Sequence, residues 1–223
     1  METTIQDFKL TTLVVSSVFI ILFLVVSAVE SNSVVLNGYS TVLHCAVICI
    51  GIQWIAWIPA SIWKTERFYD LTGGLTYLVV VIFSLWSGSQ FEPPSLREII
   101  VSALVIVWSL RLSSFLYFRI HRTGKDGRFD RLKTSPIRFL VPWTLQGLWV
   151  FLTMVVVIVI NNQENASPAL GVWDWIGLLL WITGFGIEVI ADNQKTVFNS
   201  DPKNKDKWID SGLWSYSRHP NYF

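Results

Sequence analysis

The last twelve residues, Gly212 to Phe223, read Gly-Leu-Trp-Ser-Tyr-Ser-Arg-His-Pro-Asn-Tyr-Phe. Arg218, His219, Asn221 and Tyr222 crowd directional donors and acceptors into one short segment that Gly212 and Pro220 keep out of a helix. This composition suits a polar clamp, held at a membrane surface by Trp214, Tyr216, Tyr222 and Phe223. Further upstream, Glu188 and Asp192 stand four residues apart, on one face of any helix, with Lys195 a turn beyond. Arg111 and Gln146 each interrupt a long apolar run. An ionisable group at membrane depth is costly and marks a functional site by default, so these residues point to a polar cavity lined by several helices. The blander alternatives are that Arg111 snorkels to the interface and that Asp192 with Lys195 marks a helix end.

The connection 119–138 carries Arg119, Arg122, Lys125, Arg128, Arg131, Lys133 and Arg138. Its positive excess suits an anionic group such as a phosphate. It equally suits a topogenic signal in contact with anionic lipid, and composition does not choose between the two.

The elements that position these residues are long apolar segments. Hydrophobic residues make up 52% of the 223 and charged residues only 15%, against about 25% charged in a soluble domain. Lipid must therefore cover much of the surface, and twelve tryptophans fit the headgroup layer. Six runs approach the roughly 20 apolar residues a membrane-crossing helix needs: 10–29, 40–62, 74–91, 96–118, 139–160 and 172–191. Backbone amides in lipid must be satisfied within each segment, which makes the runs helices even where Val and Ile abound. The expected fold is an all-α, polytopic transmembrane bundle forming a single domain over 1–223, with Pro59 and Pro142 kinking their helices.

Lys and Arg collect in 63–73, in 119–138 and after residue 191, and are absent from 30–39 and 161–171. By the positive-inside rule this alternation places both termini and the basic connections in the cytosol. A net charge of +1 gives no case for a nucleic-acid partner. Cys45 and Cys49, four apart in an apolar run, read as small hydrophobes, with neither a disulfide nor a metal assigned.

The string Ser-Arg-His-Pro-Asn-Tyr-Phe after Gly-Leu-Trp resembles the steroid 5-alpha-reductase superfamily, and most closely its uncharacterised branch of membrane reductase-like proteins. Three other stretches match in order: Lys64 to Gly73, the Gly124 to Lys133 connection, and Gly184 to Lys195. The resemblance implies NADPH entering from the cytosol, hydride transfer to the β-carbon of a lipid or steroid-like enone, and residence in the endoplasmic reticulum. It makes Asp192 the acid facing the cofactor. It adds Glu188, Lys195, Asn221, His219 and Tyr222 to the cofactor contacts, and Arg111 and Arg218 as positive charges. Reductases of this kind polarise the carbonyl with a Glu and a Tyr. Here Gln53 and Tyr77 occupy those stretches, and the missing Glu puts steroid specificity in doubt.

In the superfamily the terminal motif continues with Gly-Glu and a further membrane helix. The chain is accordingly expected to be C-terminally incomplete, with at least one span missing, and inactive in this form. Two competing classes remain. Isoprenylcysteine carboxyl and phospholipid methyltransferases carry a similar Arg-His-Pro-x-Tyr motif that holds S-adenosylmethionine. A non-enzymatic scaffold would use the same polar residues as glue between helices.

Overall fold

The computed structural model describes residues 2–90, 92–163 and 169–222. Among them six helices are long and apolar enough to cross a membrane, and the chain is an all-α, multi-pass membrane protein. The helices are α1 (Glu2–Val29), α2 (Thr41–Trp63), α3 (Tyr69–Gly88), α4 (Leu96–Thr123), α5 (Pro136–Asn161) and α6 (Val172–Ser200). The chain divides into two compact units, Met1–Pro168 and Ala169–Phe223.

Several helices outrun the apolar segments that announce them. α3 begins at Tyr69 rather than 74, α4 continues to Thr123, and α6 continues to Ser200. Hydropathy marks where lipid is tolerated, whereas a helix ends where its caps and breakers stand. α6 stops at Asp201-Pro202, because the residue before a proline is pushed out of helical geometry. α4 starts at a capping box in which Ser95 and Glu98 satisfy each other's backbone amides. Pro59 and Pro142 lie inside α2 and α5, both of which continue through them.

In the first unit α5 packs on α1, α2 and α3, while α4 packs on α3. Its core joins Val18 and Leu22 of α1 to Val42 of α2, Val80 of α3, and Phe151, Met154 and Ile158 of α5. Close approach is bought with small residues. A Cβ on Gly74 would collide with Ser113 of α4, and one on Gly88 with the carbonyl of Asn161.

The two ends of this unit differ in chemistry. One end is held by a network of neutral polar side chains: Thr41 and Ser87 share a hydrogen bond of 2.7 Å, Ser87 donates to Asn162 at 2.6 Å, and Asn161 donates to Ser84 and Ser102. A two-residue hairpin closes α1 to α2 there, its turn made by Asn37 and Gly38 at positive φ. The other end gathers the basic connection, the α2–α3 junction and the start of α5. Tyr69 donates to the carbonyl of Pro142 at 2.9 Å, and its ring packs on Phe129 and Trp143.

Candidate functional site

Within the second unit, one face of α6 and the terminal segment form a connected set of contacts. Glu188 and Asp192 lie on that face and are nearly buried. The segment folds back through Gly212, whose φ of +61° is open to glycine at little cost. A side chain at that position would also meet the Gln194 carboxamide, 2.5 Å away. With no Cβ in the way, Gln194 accepts the Leu213 amide at 3.0 Å.

Trp214 comes next and is 8% exposed. It was expected as a membrane-surface anchor; instead its Nε1 donates to the Ala191 carbonyl at 3.0 Å and its ring takes the Lys195 ammonium 4.5 Å from the centroid. A buried indole needs an acceptor for its N–H, and a helix carbonyl supplies one. Tyr216 and Tyr222 do stay exposed, at 90% and 80%, while Phe223 lies outside the described residues.

Pro220 is buried, and Asn221 then donates its Nδ2 to Asp192 Oδ1 at 3.2 Å across 29 residues. Asn221 Oδ1 is buried with no hydrogen-bond partner among the described residues. The terminal motif and the α6 acid therefore present neighbouring acceptors. His219 stacks on Tyr222 with ring centroids 5.2 Å apart, and both rings and Arg218 face outward.

A cavity of about 620 Å³ lies in the same unit, lined by Asn193, Gln194, Phe198, Asp201, Ile209 and Gly212 among others. None of the candidate catalytic or cofactor-binding residues lines it. Gln194 is the residue the sequence reading passed over, and it touches both the cavity and the terminal segment. Its one sequence signal was its place inside the 184–195 match.

Gln53, Tyr77 and Arg111 belong to the first unit. Gln53 is fully buried and donates Nε2 to Thr76 Oγ1 at 2.9 Å. Tyr77 shares a 2.7 Å hydrogen bond with Thr153, whose own proton goes to the Trp149 carbonyl, so Tyr77 is the donor. The two side chains thus engage different helices, α3 for Gln53 and α5 for Tyr77. The Arg111 guanidinium sits 5.2 Å from the Phe115 ring centroid, with Arg119 over the same ring at 6.0 Å.

Three cations of the basic connection, Lys125, Arg128 and Lys133, are paired with neighbouring carboxylates. Lys125 pairs with Asp130 at 2.9 Å, Arg128 with Asp126 at 2.6 Å, and Lys133 with Glu66 at 2.9 Å and Asp130 at 3.2 Å. The hydrogen bond from Arg128 holds Asp126 below the usual carboxylate range, and that from Lys125 does the same for Asp130. The Glu66 carboxylate raises Lys133 above the usual ammonium value. Glu66, at the α2–α3 junction, also accepts the Asp126 amide at 2.9 Å. Two of the stretches that carry the resemblance are here locked onto each other.

Residues 56–223 match the family described as "Protein of unknown function (DUF1295)". The chain belongs to that family. DUF1295 is related to the steroid 5-alpha-reductase-like proteins. Its match takes in the α2–α3 junction, the basic connection, α6 and the terminal segment. A relative in Schizosaccharomyces pombe, "Uncharacterized protein C594.04c", is 27% identical over 170 residues, covering 62% of this DUF1295 chain and 48% of its own. The chain therefore spans about half the length of the curated relative it matches. No solved structure matches it.

Proposed function

We propose that this DUF1295 protein is a membrane-embedded, NADPH-dependent reductase of an activated carbon–carbon double bond in a lipid or steroid-like enone. The carrying observation is the hydrogen bond between Asn221 and Asp192, which joins the terminal motif to the acid of α6. Asp192 and the unpartnered Asn221 Oδ1 offer adjacent acceptors, and the N–H₂ of a nicotinamide carboxamide is a donor of matching valence. The residues present therefore fit that group. NADPH, when bound, supplies the hydride.

The remaining roles fall to this chain's own side chains. Asp192 and Asn221 hold the carboxamide and fix which ring face meets the substrate. Lys195, steadied on Trp214, and Arg218 on the outer surface supply positive charge toward phosphates. Glu188, His219 and Tyr222 border the same face. The basic connections and both termini face the cytosol of the endoplasmic reticulum in this reading, with the bilayer delivering the apolar substrate.

The test is isotope transfer from NADPH deuterated at C4 of the nicotinamide to 4-cholesten-3-one. It is run on this chain in lipid nanodiscs. Deuterium on the β-carbon of a saturated product supports the reading. Transfer of a labelled methyl group from S-adenosylmethionine to lipid, with no deuterium transfer, replaces it with the methyltransferase class.

A further inference from the structure

The seam between α2, α3 and α5 holds buried polar atoms that no group among the described residues satisfies. Gln53 of α2 is completely buried, and its Oε1 has no hydrogen-bond partner among the described residues. The orientation of this carboxamide is dictated by its neighbours. Thr76 donates its one hydroxyl proton to the Thr72 carbonyl at 2.7 Å, so its oxygen can only accept from Gln53 Nε2. The carbonyl of Gln53 must then be the end left over.

Gln146 of α5 repeats the pattern. Its Oε1 is also buried and unpartnered. Its amide reaches α3 at Gly73, where a Cβ would stand 2.7 Å from Nε2, so the glycine is what admits it. Residues 73 and 76 are neighbours on one face of α3. The amide nitrogens of both glutamines thus face a single turn of α3, which leaves their two carbonyl oxygens as the unsatisfied ends within the seam. One turn before Gln146, the fully buried Trp143 has an Nε1 donor that is likewise unpartnered. Buried polar atoms in native proteins are paired, and where protein supplies no partner a bound molecule does.

We propose that this seam is a binding site for a hydroxyl group. A hydroxyl donates to a carboxamide carbonyl and accepts from an indole N–H, whereas an ammonium cannot accept and a ketone cannot donate. The hydroxyl comes either from an enclosed water or from the head of an apolar alcohol entering from the bilayer. The site lies wholly within the first unit and does not depend on the cofactor reading above.

The experiment uses the whole chain in lipid nanodiscs. X-ray radiolysis generates hydroxyl radicals from bound water, so an enclosed water labels Trp143 despite its complete burial. An alcohol-binding seam instead leaves Trp143 unlabelled, and 1-hexadecanol raises the melting temperature where its methyl ether does not. Gln146→Met, similar in shape but unable to accept, should abolish whichever signal the wild type gives. It should also lower the melting temperature by about 2–4 °C in the water case. Absence of both wild-type signals overturns the proposal whether or not the variant folds. Persistence of the signal in Gln146→Met overturns it too. A higher melting temperature in Gln146→Met with no alcohol-specific effect would show that the carbonyls are merely unsatisfied.

Discussion

Glu66 and Lys133, separated by 67 positions in sequence, meet at 2.9 Å, with the Glu66 side chain almost wholly enclosed and accepting the Asp126 amide on its other oxygen. This contact fastens the connection between α4 and α5 to the α2–α3 junction. It explains why a short polar stretch, Lys64 to Asp70, follows a span: its carboxylate is the anchor for a loop that lies far along the chain.

Lys133→Met leaves Glu66 enclosed without its cation. Breaking a buried pair from one side costs about 3–5 kcal/mol. Lys133 keeps 21% of its side chain exposed, and solvent screening reduces the expected loss to about 1–2 kcal/mol. A double-mutant cycle with Glu66→Gln, read by thermal unfolding in detergent, should give a coupling of about 1 kcal/mol. Strict additivity would mean that the pair contributes nothing.

The same connection carries a pH signature. Asp126 titrates below its ordinary range because Arg128 donates to it, so its contribution is complete above about pH 4 and is lost as pH falls through its folded-state value. Lys133 titrates above its ordinary 10.5 because Glu66 accepts from it, so its contribution is complete below that value and is lost as pH rises through the folded-state value. Amide exchange over 124–134, corrected for intrinsic rate, should be flat between about pH 5 and 9. A protection loss centred on pH 6 to 7 would be incompatible with these pairs.

Trp214 fixes the terminal segment to α6. Trp214→Phe retains most of the ring packing and forfeits one hydrogen bond, a loss of about 1 kcal/mol. Trp214→Ala removes the ring as well, about 3–5 kcal/mol for a buried tryptophan, and should free residues 209–222 to limited proteolysis while α6 stays protected. Equal cleavage rates in wild type and Trp214→Ala would show that the segment is held elsewhere.

Apolar run length made the six helices legible, because a backbone in lipid has few other options. Helix ends were less legible: Gln194 to Ser200 are mostly polar yet helical, since only Asp201-Pro202 stops the helix. The pairing of Asp192 with Asn221 spans 29 residues and no local period encodes it. The Trp214 bond to the Ala191 carbonyl is not legible in composition, which shows an aromatic residue but not its partner. The basic connection stands out by its Lys and Arg, while the pairing of Lys125, Arg128 and Lys133 with Asp126, Asp130 and the distant Glu66 is a property of the fold. The orphaned carbonyl of Gln53 depends on which way the Thr76 hydroxyl donates, and that of Gln146 on its packing against Gly73, both properties of the packed state.

Titration of NADPH into this chain in lipid nanodiscs, beside Asn221→Ala and with S-adenosylmethionine as competitor, tests most directly whether a nicotinamide lies against Asp192 and Asn221. The predicted result is saturable NADPH binding, weakened about tenfold by Asn221→Ala, as the loss of about 1.4 kcal/mol of hydrogen bonding requires, and untouched by S-adenosylmethionine. Undiminished NADPH binding in Asn221→Ala, or displacement by S-adenosylmethionine, would contradict it.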